Sequence, residues 1–107
     1  MAVIGTIANR LVIYEDRNAC LIIESKGISF KKFRIITKKI IRKFGLFESE
    51  IITDSSCDFS KIFTLNNYVL IFEWDTFSGF RISSNNQFSN ILLSEISVYI
   101  NDNLANQ

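Results

Sequence analysis

Histidine and proline are both absent from this 107-residue chain, and glycine occurs only four times. Without histidine, the commonest general base and metal ligand at neutral pH is missing. A soft-metal site would have to start from Cys20 and Cys57, which are far apart and have no imidazole to complete a tetrahedral set. No metal or cofactor is therefore expected. There is no glycine-rich phosphate loop, no G-x-S-x-G and no C-x-x-C. Cys57 has Asp58 beside it but no imidazole to activate its thiol. Cys20 reads as a small hydrophobe in a strand and Cys57 as part of a polar loop; the cytosolic look of the chain disfavours pairing them. With no proline and so little glycine, turns must rest on Asn, Asp and Ser. No apolar run approaches the ~18–20 residues of a membrane span. The opening MAVIGTIANR has no basic leader followed by a long apolar region. Neither a membrane span nor a secretory signal is expected, and the location is expected to be cytoplasmic.

What the chain does have is apolar bulk. It is 48% hydrophobic and 21% charged, and ten Phe, three Tyr and one Trp supply most of the large burial surfaces. That composition belongs to a globular chain, and the length suits a single domain with one core. The net charge of +1 conceals a strong polarity. Between residues 31 and 43 stand Lys31, Lys32, Arg34, Lys38, Lys39, Arg42 and Lys43, with no acid among them. From residue 44 onward Lys61 and Arg81 stand against Glu48, Glu50, Asp54, Asp58, Glu73, Asp75, Glu95 and Asp102. Such asymmetry bears on partners rather than on fold.

The basic run coincides with helical periodicity. Phe30, Phe33, Ile36, Ile40 and Phe44 recur every three or four residues. Residues set about 100° apart place these five, with Thr37 and Ile41, in an arc of about 140° suited to covering a core. The basic side chains take the other side, and Ile35 falls among them. Ser29 is a suitable N-cap and Gly45 a suitable left-handed stop. Lys31 and Lys32 oppose the helix dipole, whereas Arg42 and Lys43 suit it.

Most of the rest reads as strand. Residues 2–7, 10–15 and 20–25 are short apolar runs, the latter two joined by a turn at 16–19. The weak alternation in both suggests some cover on each sheet face. Residues 46–53 alternate poorly and are taken as a strand, and 54–58 as a loop. Residues 61–65 and 68–74 form a hairpin around Asn66-Asn67, and 80–83 pairs back to make a meander. A last helix over about 86–103 is expected, capped from Ser84-Asn85-Asn86, with Phe88, Ile91, Leu92, Ile96 and Tyr99 inward. Glu95 falls within that arc and is expected to be partly buried beside a base such as Arg34. The fold class is α+β: one domain over residues 1–107, with a largely antiparallel sheet of about six strands and two packed helices, at about 29–44 and 86–103.

Three groups of residues bear on function. Glu48 with Glu50, and Glu73 with Asp75, have the i, i+2 spacing that places two acids on one strand face. Such pairs are more often a solvated face than a hydrolytic site, and the chain is not expected to be an enzyme; no small-molecule substrate is evident. The basic helix offers Lys31, Lys38, Lys39 and Arg42 to phosphates. It lacks the Asn, Gln or Ser that would read bases and the aromatics on which single strands stack. The stretch FEWDTFSGF, residues 72–80, places Trp74 and Phe77 beside Glu73 and Asp75 near a turn. Aromatic anchors flanked by acids suit a basic protein partner; the equal alternative places Phe72, Trp74 and Phe80 in the core, with Phe77 left at the turn tip.

In size, in its Phe-, Ile- and Asn-rich composition, and in this acidic aromatic stretch, the chain resembles the immunity proteins of bacterial contact-dependent growth inhibition and related polymorphic toxin systems. The resemblance implies a cytoplasmic protein that binds a cognate toxin domain, often a nuclease, and occludes it. Trp74 and Phe77 would anchor, and Asp54, Asp58, Glu73 and Asp75 would meet basic toxin groups. The near-neutral overall charge departs from the strongly acidic character common among such inhibitors. The alternatives are a small nucleic-acid-binding protein that uses the basic helix, and a structural or oligomerising protein with Ile35 at a self-interface.

Overall fold

A computed structural model describes the backbone over residues 2–7, 11–54 and 58–103. It contains seven strands, β1 (Ala2–Ile7), β2 (Leu11–Glu15), β3 (Leu21–Ser25), β4 (Phe47–Asp54), β5 (Asp58–Leu65), β6 (Tyr68–Asp75) and β7 (Gly79–Ser84). The helices are α1 (Phe30–Phe44) and α2 (Asn90–Asn103), the latter preceded by one 3₁₀ turn at Gln87–Ser89. All strands join one sheet in the order β1-β2-β3-β7-β6-β5-β4, with every pairing antiparallel. The α+β class stands, with seven strands in place of about six. The N-terminal three strands form one meander and the last four another, and β3 against β7 joins them.

α1 is the crossover that carries the chain from β3 to the far edge of the sheet. Ser29 caps it, its hydroxyl accepting from the Lys32 amide at 3.2 Å. Gly45 ends it at φ +71°, where the Gly45 and Leu46 amides both donate to the Ile41 carbonyl. Phe33, Ile36, Thr37 and Ile40 are buried and Phe30, Ile41 and Phe44 partly so, the arc read from the sequence. These side chains meet Phe59, Phe63, Leu70, Phe72, Trp74 and Phe80 on one sheet face, and α2 adds Leu92, Leu93, Ile96 and Ile100 to the same core. Phe44 and Tyr99 contact edge to face at 5.7 Å, linking the two helices.

The strands explain which residues point where. Along β6, Leu70, Phe72 and Trp74 face the helices, and Ile71, Glu73 and Asp75 face away. Tyr14 and Ile22, opposite each other on the helix-free side of β2 and β3, are nevertheless buried. This answers the weak alternation of those two runs. In β4 the register slips at Ser49 and again at Ile52. Each bulge inserts one extra residue, so Glu48 and Ile51 fall on the helix side and Phe47 and Glu50 on the other, a period of three that hides the strand from a search for alternation.

Three expectations need correction. Asp58 opens β5 rather than closing a loop, and β5 and β6 are each eight residues long. Glu48 and Glu50 do not share a face, because the bulge between them reverses the pleat. Glu95 is exposed rather than set inward. The cause of the last lies at the start of α2. Ser89 Oγ accepts from the Val69 amide at 2.8 Å, and Asn90 Oδ1 accepts from the Leu21 amide at 2.8 Å and the Ser84 hydroxyl at 2.5 Å. These bonds to β6, β3 and β7 turn the Ser89 side of the helix inward. Leu92, Leu93, Ile96 and Ile100 follow it, while Phe88, Ile91 and Val98 stay exposed. Phe88 instead stacks on Tyr68, with ring centroids 4.9 Å apart.

Candidate functional site

The helix-free face of the sheet gathers polar side chains that lie far apart in sequence. Glu24 on β3 pairs in register with Arg81 on β7, and Arg81 with Glu73 on β6. Arg81 grips Glu24 through Nε at 3.0 Å and Nη2 at 2.7 Å, and the Tyr14 hydroxyl donates to the same carboxylate. Burial, with the added bond to Glu24, pushes the Tyr14 hydroxyl up to about 12. The strand pleat then brings Asp75 and Asp58 to the same face, where they are register partners of one another.

Glu73 and Asp75 share this face but not their electrostatics. Partial burial raises the Glu73 carboxyl above its ordinary value; Asp75 and Asp58 push it the same way, and Arg81 opposes them. Asp75 goes down, chiefly because its carboxylate accepts the Ser78 amide at 2.6 Å and the Phe77 amide at 2.8 Å. Those two bonds close the β6–β7 turn, so Asp75 builds the loop that carries Phe77. Phe77 is 96% exposed at its tip.

Of the six residues expected to meet a partner, Asp58, Glu73, Asp75 and Phe77 are therefore brought together. Trp74 is not. It is 9% exposed on the opposite face, its indole Nε1 donating to the Ile28 carbonyl at 2.8 Å and its ring 5.0 Å from Phe30. Neighbours on a strand point to opposite sides, so Trp74 anchors the core, and the role of surface anchor does not hold. Asp54 ends β4 as the register partner of Phe59, one pair away from the Asp58–Asp75 position. Sequence reasoning missed Tyr14, Glu24 and Arg81. Local signals were present, since Glu24 sits between Ile23 and Ser25, and Arg81 between Phe80 and Ile82, as outward residues of alternating strands. The union of β3 with β7 that joins them left no mark in the sequence.

The basic helix presents the second group. Lys31, Lys38 and Arg42 are exposed and Lys39 is partly so. Ile35, expected on this side, is 45% exposed among them. Cys20 is a buried free thiol, and Cys57 lies outside the described residues. Among the described residues no group of acids and cysteines is arranged to hold a metal ion, and no helix is long and apolar enough to cross a membrane.

Fold and site together define the class of molecule: an antiparallel sheet covered by two helices on one side and bearing an acidic, arginine-centred cluster on the other. Comparison with protein-family models, with curated proteins and with solved structures finds no match.

Proposed function

We propose that this chain is a non-enzymatic protein-binding module of the cytoplasm, a toxin-neutralising immunity protein that occludes a basic toxin domain with the helix-free face of its sheet. The observation that supports this most is the convergence of Asp58, Glu73 and Asp75 on one open face beside the fully presented ring of Phe77. Acids arranged on a rigid sheet attract a cationic surface without reorganising, and an exposed aromatic at their edge is the type of side chain that concentrates binding energy.

Such a role requires a secreted toxin encoded beside the chain's own gene. With that toxin's C-terminal domain in hand, the two purified proteins should form a stoichiometric complex. Asp58→Lys and Phe77→Ala alter exposed side chains and leave the core alone, so each should preserve the far-ultraviolet circular dichroism while weakening the complex by about tenfold or more, a loss of ~1.4 kcal/mol or above. The absence of any neighbouring toxin gene overturns the role, and unchanged affinity in both variants overturns the site.

The exposed positions of Lys31, Lys38 and Arg42 favour a second role, contact with nucleic-acid phosphates. Retarded migration of an oligonucleotide at low salt, lost on Lys38→Glu, would support it; an unshifted oligonucleotide removes it.

A further inference from the structure

A groove of about 610 Å³ runs along the flank of α1, on the opposite side of the sheet from the acidic cluster. One wall is helical: Phe30, Arg34, Thr37 and Ile41 succeed each other every three or four residues. The other wall is β5, where Phe59, Lys61 and Phe63 alternate onto the helix side. Its volume lies within the roughly 300–1,000 Å³ of sites that hold small organic ligands. The floor is aromatic. Phe33 and Phe59 meet edge to face at 5.0 Å, and Phe30 lies 6.2 Å from Phe59. The rim carries three cations, Arg34, Lys38 and Lys61, and one acid, Glu48. Arg34 stands over the Phe30 ring at 5.8 Å, Lys61 over Phe59 at 5.1 Å, and Lys38 adds an exposed ammonium.

The charges on the rim are not equivalent. Lys61 is bridged to Glu48 at 2.8 Å, so its charge is already answered. Arg34 and Lys38 form no ion pair with an acid among the described residues. Between them in sequence is Thr37, only 5% exposed, whose Oγ1 has no hydrogen-bond partner. A buried hydroxyl left in that state has given up its bonds to water without replacement, a net cost to the fold. Thr37 lines the groove, so an acceptor on a ligand bound there would supply the bond this hydroxyl lacks. A purely apolar ligand would leave this hydroxyl and both cations unused, and inorganic phosphate would leave the aromatic floor unused.

We propose that this groove binds a small amphipathic carboxylate, its ring or hydrocarbon body on Phe30, Ile41, Phe59 and Phe63 and its carboxylate held by Arg34, Lys38 and the hydroxyl of Thr37. The site is independent of the acidic face and of any toxin partner. The probe is 2-naphthoate, titrated into the ¹⁵N-labelled chain, with 2-naphthylmethanol as its uncharged counterpart. Saturable amide shifts are expected along residues 30–41 and 59–63. Binding should be about tenfold weaker for the alcohol, and about tenfold weaker for naphthoate after Arg34→Gln/Lys38→Gln, in keeping with the loss of a charge-assisted contact. Thr37→Val should also weaken naphthoate, while Lys32→Gln/Lys43→Gln, equal in charge but on the far side of α1 from the groove, should leave it unchanged. Any one of four results overturns the proposal: no saturable shift at millimolar probe, equal affinity for acid and alcohol, no effect of Thr37→Val, or equal losses in the two double variants.

Discussion

Glu73 shows how one side chain can belong to a site at some cost to the fold. Its carboxyl is partly withdrawn from water and faces two other acids, and only Arg81, already bonded to Glu24, compensates. A carboxyl raised in the folded state binds its proton more tightly there than in the unfolded chain. Stability from this group is therefore greatest at low pH and declines as pH rises from the ordinary glutamate value through the raised one. Asp75 has the opposite sign, since its amide bonds favour the ionised form; its contribution is present at neutral pH and is lost as pH falls through its lowered value. Glu73→Gln should accordingly stabilise the protein at pH 7 by ~0.2–1 kcal/mol, the scale of a cross-strand charge pair. That gain should shrink toward zero at a pH below the ordinary glutamate value, where Glu73 is already neutral in both states. Urea denaturation of both proteins at the two pH values measures the difference. A gain that is independent of pH would show that ionisation of Glu73 is not its source. That Glu73 and Asp75 share a face was legible from their spacing, as was the exposure of Phe77 at a turn. The burial of Trp74 followed from the same pleat and was obscured by its acidic neighbours.

Two glycines mark element boundaries with the same backbone and different surroundings. Gly45, at φ +71°, ends α1 with no atom within 4 Å of where a Cβ would stand. Gly79, at φ +75°, opens β7 where a Cβ would lie 2.3 Å from the Ser25 carbonyl oxygen of β3. Alanine at Gly45 meets only the left-handed strain of a C-cap and should cost ~1 kcal/mol. Alanine at Gly79 meets the same strain and must also push β7 away from β3, the strand pairing that joins the two meanders, so its cost should exceed ~2 kcal/mol. Denaturation midpoints of the two variants provide the comparison, and equal losses would mean that β3 and β7 separate easily. The elements themselves were legible to different degrees. α1 was readable because cap, apolar arc and stop agree. The β5–β6–β7 meander was readable because Asn66-Asn67 and the turn after Asp75 punctuate it. α2 was found at the right place but rotated: the inward arc was counted from Phe88, whereas Ser89 and Asn90 are held by the sheet through Val69, Leu21 and Ser84. Polar residues that fix a helix by bonding distant backbone carry no periodic signal. The same is true of the bulges in β4 and of the groove, which exists only once β5 is laid beside α1.

At the scale of the molecule, a net charge of +1 describes neither surface. The outward arc of α1 carries Lys31, Arg34, Lys38 and Arg42, while Glu24, Glu73, Asp75 and Asp58 lie on the far side of the sheet that α1 covers. The shortest dimension of the fold is 26 Å. The potential of an exposed charge decays over about 10 Å at 0.1 M ionic strength, so the two surfaces do not cancel each other at an approaching partner. Retention on charged resins tests this directly. Near neutral pH and about 0.05 M ionic strength, where the screening length is still well below the 26 Å thickness, the protein should bind both a cation and an anion exchanger, although its average charge would hold it on neither strongly. Lys38→Glu/Arg42→Glu should abolish binding to the cation exchanger. Arg17→Glu/Lys26→Glu makes the same change in net charge at exposed turn positions away from α1, and it should leave most of that binding in place. If both double variants elute together, average charge alone governs the encounter, and a charge-polarised surface gives no basis for distinguishing an acidic docking face from a basic one. If they separate, the two faces present their charges independently, as the proposed docking of a cationic protein on the sheet and of an anion on the helix flank both require.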